Sequence, residues 1–380
     1  MIYNPKQKKE EHKTPMKINT KFLSQLLAIG VISSAAVPAF AAQAPVQNES
    51  AEQEIQVEEA APAVKKADDI LTVKGLVRYD IRRDNVTGKK HETKKSLLRT
   101  RLEPTVSLGN GWKIKNRIDF DVNYKDRDED HFYNRMLYIQ GPAFGGTISA
   151  GKIDYADFAN MNIAYGMIYD DYMKGVKYSY TDADSKAIYT AAAGNFDSPH
   201  NDKNNGAMKN YPEYEAMHYA GLQVEYPVND DFTAGFGYHN VRSGSLDETQ
   251  QIFEFAGEYS FDKNFTLGGV YALSNLDASD YGLKSSDEEN AYIVQLNYKG
   301  AKRTKANTFG LYAAYKSLGQ LATFVPTYTN SFVGEEGYEL GANYVFAKNL
   351  TGTVSYFNGD KLENEHKDLS RWFGRLEYRF

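Results

Sequence analysis

Ser370-Arg371-Trp372-Phe373-Gly374-Arg375-Leu376-Glu377-Tyr378-Arg379-Phe380 ends the chain. Read as a strand, it puts Trp372, Gly374, Leu376, Tyr378 and Phe380 on one side and Arg371, Phe373, Arg375, Glu377 and Arg379 on the other, because successive strand side chains point to opposite faces. One apolar and one strongly cationic face do not suit an ordinary core. They suit a wall with lipid outside and water inside.

The same alternation recurs upstream. From Ile70 onward it predicts about sixteen segments, each near the roughly 9–11 residues a tilted membrane strand needs. They begin near Leu71, Lys95, Trp112, Phe132, Gly146, Tyr172, Lys186, Met217, Asp231, Gln250, Asn264, Asn290, Ala306, Gly337, Asn349 and Ser370. In the third, Ile114, Ile118, Phe120, Val122 and Tyr124 face one way, and Lys113, Lys115, Arg117, Asp119, Asp121 and Asn123 the other. A soluble antiparallel sheet gives the same signal in any single strand, so the connections decide. Tight turns at 109–111, 141–145, 181–185, 227–230, 262–263, 300–305 and 347–348 alternate with longer polar connections such as 84–93, 154–171, 195–216, 275–289 and 318–336. Short turns on one rim and long loops on the other predict an all-β transmembrane barrel whose short turns face the periplasm. Tyr180, Tyr226 with Phe232, Phe261 with Phe265, and Phe346 bracket the turns as an interfacial aromatic girdle.

Composition agrees with one large domain over 70–380. No Pro/Gly-rich linker divides that region, and 29 Tyr and 20 Phe accompany only 2 Trp, which suits a surface meeting both lipid and water. The absence of Cys excludes disulfides, thiolate metal sites and a cysteine nucleophile. At the N-terminus, Lys17 and Lys21 precede an apolar stretch over 22–40 ending in Ala39-Phe40-Ala41, which predicts a signal peptide over 1–41 cleaved after Ala41, with Met16 as a possible true start. Removing residues 1–41 takes away six Lys and two Glu and moves the net charge from −6 to −10, which argues against nucleic acid as a partner. Residues 42–69 are poor in apolar side chains and rich in Glu, and read as a disordered periplasmic lead-in.

Parity also predicts the lumen. Lys74, Arg78 and Arg82 of the first strand, Arg99 and Arg101 of the second, Lys113, Lys115 and Arg117 of the third, and Arg371, Arg375 and Arg379 of the last face inward. Barrel closure makes these strands neighbours, so a basic sector lines one side, with Arg78, Arg99, Arg101, Arg117 and Arg375 nearest mid-depth. Clustered cations need counter-charges. Glu103, Asp119, Asp121 and Glu377 supply some, and Asp154, Asp157, Asp170 and Asp171 supply more if the connection over 154–171 crosses the lumen. Carboxylates facing guanidinium groups across a narrow aqueous gap would set up a transverse field; alternatively, the same residues simply tie the loop to the wall. Tyr155, Phe158, Tyr165 and Tyr169 in that loop could form a sugar slide or pack onto the wall.

Other chemistry is thinly represented. His91, His131, His200, His218, His239 and His366 lie near no Ser or Asp in a nucleophile spacing, so no catalytic residue and no enzyme activity are expected. The carboxylates of 126–130 and the oxygen-rich 201–206 do not match a calcium loop, and they read as solvated loops, with no metal or cofactor implied.

The chain resembles the Gram-negative general porins, with their sixteen-stranded trimeric barrels. The resemblance covers roughly 70–380 and rests on the signal peptide, strand count, loop alternation and terminal Phe380. The most local match is the fifth strand, 146–155, followed by a loop through Tyr165-Gly166 to Asp170-Asp171 in the place of the porin third loop, although the Pro-Glu-Phe-Gly-Gly tip of the enterobacterial members is missing. The resemblance implies that Phe380, with Tyr378, Leu376 and Trp372, is an insertion signal read by the barrel-assembly machinery. It also implies a homotrimer in the cell outer membrane, in contact with its lipid and lipopolysaccharide, passing small hydrophilic solutes and ions by passive diffusion. A substrate-specific channel for sugars, organic acids or peptides is the alternative, followed by an outer-membrane enzyme or an adhesin.

Overall fold

The computed structural model describes residues 70–86, 92–125, 130–196, 217–243, 246 and 248–380, with 364–367 as backbone only. The expected signal peptide and lead-in, His91, His200, the acidic run at 126–129 and the 201–206 loop lie outside the described residues.

Sixteen strands form: β1 Leu71–Val86, β2 Glu92–Gly109, β3 Trp112–Asn123, β4 His131–Ala143, β5 Gly146–Ala156, β6 Asp170–Thr181, β7 Ile188–Phe196, β8 Met217–Pro227, β9 Phe232–Arg242, β10 Gln250–Ser260, β11 Phe265–Ser274, β12 Asn290–Lys299, β13 Phe309–Leu318, β14 Glu335–Ala347, β15 Leu350–Lys361 and β16 Asn364–Arg379. Each pairs antiparallel with its chain neighbour, and β16 pairs with β1 to close the barrel. Closure removes every sheet edge, the condition for β-structure in lipid. At the seam Gly75 and Phe380 exchange both backbone hydrogen bonds, each 2.9 Å. A Cβ on Gly75 would lie 2.5 Å from the Arg101 carbonyl oxygen and 2.7 Å from the Phe380 ring, so only glycine lets the terminal aromatic lie across β1.

The outward face is apolar. Val77, Tyr79 and Ile81 of β1, Phe120 and Val122 of β3, and Leu137 and Ile139 of β4 are exposed there, forming the lipid-facing band. Trp372, Leu376, Tyr378 and Phe380 of β16 share it, Trp372 at 57% exposure. Aromatic pairs stud both rims: Phe265 with Tyr298 and Tyr344 with Phe346 beside short turns, and Tyr292 with Tyr315 and Tyr356 with Trp372 toward the long loops. The tight turn between β2 and β3, Gly109-Asn110-Gly111, holds all three residues at positive φ, which the two glycines and one asparagine accept with little strain.

The buried apolar core lies inside the barrel, beneath two loops. Residues 157–169, between β5 and β6, place Phe158, Met161, Ala164, Met167 and Ile168 against Phe196, Met217, Val241 and Ile252 of the wall. Residues 319–334, between β13 and β14, bring Ala322 and Phe324 into the same cluster. Two short 3-10 turns, Ala278–Tyr281 and Ser286–Glu289, stand on the long-loop rim.

Candidate functional site: the lumen wall and its loops

The strand pairing sets the cations of β16, β1, β2 and β3 side by side. Arg78 lies opposite both Arg99 and Glu377, Arg375 opposite Asp80, Arg99 opposite Asp121 and Arg101 opposite Asp119. Parity along pleated strands fixes this arrangement, because residues two apart share a face and register aligns those faces across neighbours. The guanidinium groups are held by carboxylates of the same wall. Arg101 grips Asp119 through two bonds of 2.7 and 2.9 Å, and Arg99 grips Asp121 through two of 2.7 Å. Arg375 holds Asp80 at 2.7 and 3.0 Å, and Asp80 also meets Lys95 at 2.9 Å and Arg78 at 3.5 Å. Arg117 donates to Glu103 at 2.7 Å, and Arg379 to Glu377 at 2.6 Å. The two-bond pairs of Arg99, Arg101 and Arg375 fix side-chain direction as well as charge. Lys115 lies on β3 opposite Thr105 and Tyr138.

The loop carboxylates depart from expectation. Asp157 does not face the Arg wall: it is fully buried, and its two oxygens accept the backbone N–H groups of Met167, Ile168 and Tyr169 at 2.7–3.3 Å. A carboxylate with several backbone donors inside one turn of chain is better satisfied there than across water, so Asp157 organises its own loop. Asp170 accepts the Tyr165 hydroxyl at 2.9 Å. Asp171 is half-buried at the start of β6. Of the four, Asp154 reaches the basic sector, at 3.5 Å from Arg117. Tyr155, Phe158 and Tyr169 are buried in packing and offer no slide; Tyr165 lines the cavity described below.

The opposite wall anchors the loop. Gln223 accepts from Phe158 N, Glu225 from Asn160 N and Nδ2, and Glu258 from Ile163 and Ala164 N, with distances of 2.5–3.1 Å. Beneath it runs a buried chain in which Tyr155 bonds to Tyr219, Tyr219 to His239 Nδ1 at 2.9 Å, and His239 Nε2 meets Glu254 at 3.2 Å. Asp80, Glu225, Glu254, Glu258 and His239 went unnoticed as partners in the sequence; their parity was readable, but the loop they serve was not.

The second loop into the lumen was also unforeseen. Its backbone joins the first: Asp170 N donates to Val325 O at 2.7 Å, Phe324 N to Ile168 O at 2.8 Å and Thr327 N to Gly166 O at 2.9 Å, and Tyr169 and Val325 form a parallel bridge. At its far end the Phe332 ring sits between the guanidinium groups of Arg82 and Arg371, 4.6 and 4.4 Å away, while Arg371 also binds Glu335 and Asp84. The run Leu321-Ala322-Thr323-Phe324-Val325 is more apolar than a solvated loop requires, and that was the available signal.

A closed barrel with a lipid-facing apolar band, a charged inner wall and loops held inside it defines a transmembrane β-barrel channel. The chain belongs to the Gram-negative porin family, whose family model matches residues 31–356, and it forms an outer-membrane channel. No curated protein matches the chain significantly. Among solved structures, a loop-deletion variant of OmpT, an outer membrane protein of Vibrio cholerae, is similar at 20% identity and a TM-score of 0.51, over 82% of this chain and 99% of that one. In-vitro folded OmpT from the same organism, described in trimer form, matches at 18% identity and 0.51, over 82% and 100%. A variant of the Rh. blastica porin matches at 14% identity and 0.51, over 82% and 100%.

Proposed function

We propose that the protein is a passive, water-filled porin for small hydrophilic solutes and ions, driven by the solute gradient alone. The observation that carries this is the division of each wall strand: paired ions on the inner face and half-exposed Val, Ile, Leu and aromatic side chains on the outer face of β1 to β4 and β16. Paired ions in a water-filled bore keep the wall wet and the net field modest, so weak ion selectivity follows. The basic sector of Arg78, Arg99, Arg101, Arg117, Arg375 and Lys115 would line this path, with Asp154, near the end of β5, as the carboxylate that bounds it.

In this reading the chain is exported by a signal peptide cleaved after Ala41 and delivered to the barrel-assembly machinery by Phe380, Tyr378, Leu376 and Trp372. It then assembles as a homotrimer among outer-membrane lipid and lipopolysaccharide. The outward exposure of the four β16 side chains and the trimer form described for OmpT support this. Liposome swelling tests it: vesicles carrying the refolded protein should admit neutral solutes at rates falling smoothly with solute size, and no swelling with any solute would refute passive diffusion.

A further inference from the structure

Between the two inward loops and the wall from β12 to β16 lies a cavity of about 120 Å³. Its lining is rich in amides and hydroxyls, and most of its charges are already paired. Lys316 donates to Glu339 at 2.9 Å and lies 4.0 Å over the Tyr328 ring, while the Tyr312 hydroxyl takes the other Glu339 oxygen at 2.6 Å. Arg375 is held by Asp80, and Glu377 by Arg379. Lys299 is the exception, standing over the rings of Tyr298 and Phe309 at 5.2 and 4.7 Å, so most of the lining offers a solute neutral polar groups rather than an open counter-ion.

Several neutral polar groups here lack partners within the protein. Gln295 Nε2 donates to Asn297 Oδ1 at 2.8 Å, which leaves the Asn297 NH₂ unpaired although the residue is only 4% exposed. The Thr351 hydroxyl, on a residue also 4% exposed, and the hydroxyls of Thr327 and Tyr328 are unpaired as well. All four residues line this one cavity. Buried donors and acceptors left unmade are costly, and their convergence marks a place shaped for a ligand with hydrogen-bonding groups around its edge.

We propose that this cavity binds a small neutral polyhydroxylated solute, a sugar or polyol, so that the channel carries a weak saccharide site along its path. The Asn297 amide would donate to a ligand hydroxyl, and Thr327, Tyr328 and Thr351 would each donate or accept, as hydroxyls can do both. The tyrosines Tyr165, Tyr312 and Tyr328 supply ring surface with polar tips, which suits an apolar sugar face rimmed by hydroxyls.

This rests on the porin reading, so the experiment separates the two. Glucose is titrated into the refolded full chain by calorimetry, and in parallel into a planar bilayer holding the same protein, with current noise recorded. Saturable glucose binding with saturable current block is expected. Asn297→Leu, Thr351→Val and Tyr328→Phe should each weaken binding about fivefold, the size of one net hydrogen bond, whereas Gln140→Leu, on the inner face of β4 outside the cavity, should leave it unchanged. Conductance without saturable binding or block, or block equal in all variants, overturns the site and leaves the channel standing. Binding by calorimetry in a protein that conducts no ions keeps the site and overturns the channel.

Discussion

Asp80→Asn removes the carboxylate on which Arg375, Arg78 and Lys95 converge, two of them within 3.0 Å of its oxygens. Shape is conserved, so the effect is electrostatic. A unit pair about 4 Å apart at an effective dielectric near 20 is worth about 4 kcal/mol, and three such attractions are lost. Removing the charge also relieves its own desolvation, which is several kcal/mol. The Lys95 share is further screened, since that side chain is about a third exposed. Breaking a buried pair by deleting one partner typically costs about 3–5 kcal/mol, and the lower end applies here: about 3 kcal/mol, or roughly a hundredfold in the unfolding equilibrium. Urea unfolding followed by tryptophan fluorescence measures the loss, and the reversal potential in a salt gradient should shift toward anions because the sector gains one positive charge. A variant within about 1 kcal/mol of the parent, with an unchanged reversal potential, would refute the claim that the carboxylate holds this wall together.

The anchored loop gives a second prediction. Glu258→Ala combined with Glu225→Ala removes the acceptors for the backbone at Asn160, Ile163 and Ala164, so single-channel current should grow larger and noisier, whereas steps identical to the parent's would show that the loop is held by packing alone. On the long-loop rim, Glu288 is buried and accepts from Gln320 N and Nε2 at 2.7 and 2.8 Å, and burial raises its carboxyl to about 7 despite those bonds. Its folded value lies above the unfolded one, so the protonated form is favoured in the fold. Local stability is then complete below the unfolded value and declines as pH rises toward 7. Amide exchange at Gln320 and Leu321, corrected for intrinsic rate, should be slower at about pH 5 than at about pH 8, and Glu288→Gln should erase the difference; equal protection at both values refutes this. Gly75→Val places a side chain against the Arg101 carbonyl and the Phe380 ring, so the yield of folded barrel, read from gel mobility of unheated samples, should fall severalfold, and a normal yield would mean that the seam tolerates side chains there.

The barrel was legible because lipid outside and water inside impose strict alternation wherever a strand crosses the bilayer. Strands β1, β3, β5, β8, β10 and β12 begin at the residues the alternation gives. It failed beyond the bilayer: β16 begins at Asn364, six residues before Ser370, because Asn364-Glu365-His366-Lys367-Asp368 is polar on both faces and carries no parity. The same alternation set the arginines of β1, β2, β3 and β16 on one parity, though Asp80 and Asp84, which share the parity of Arg78 and Arg82, were passed over as counter-charges. The loops were not legible. Asp157 was expected either to face the guanidinium groups across water or to tie the loop to the wall, whereas the donors that bury it come from a backbone fold with no sequence period. The loop over 319–334 enters the lumen because its apolar residues find cover beside Phe196 and Met173, a long-range contact invisible to local pattern.

The most direct test of the whole account is single-channel recording of the refolded mature protein in a planar bilayer under a salt gradient. Large steps arriving in threes, with conductance roughly linear in salt and only a small reversal potential, are the predicted result. Correctly folded barrel that passes no current would contradict it.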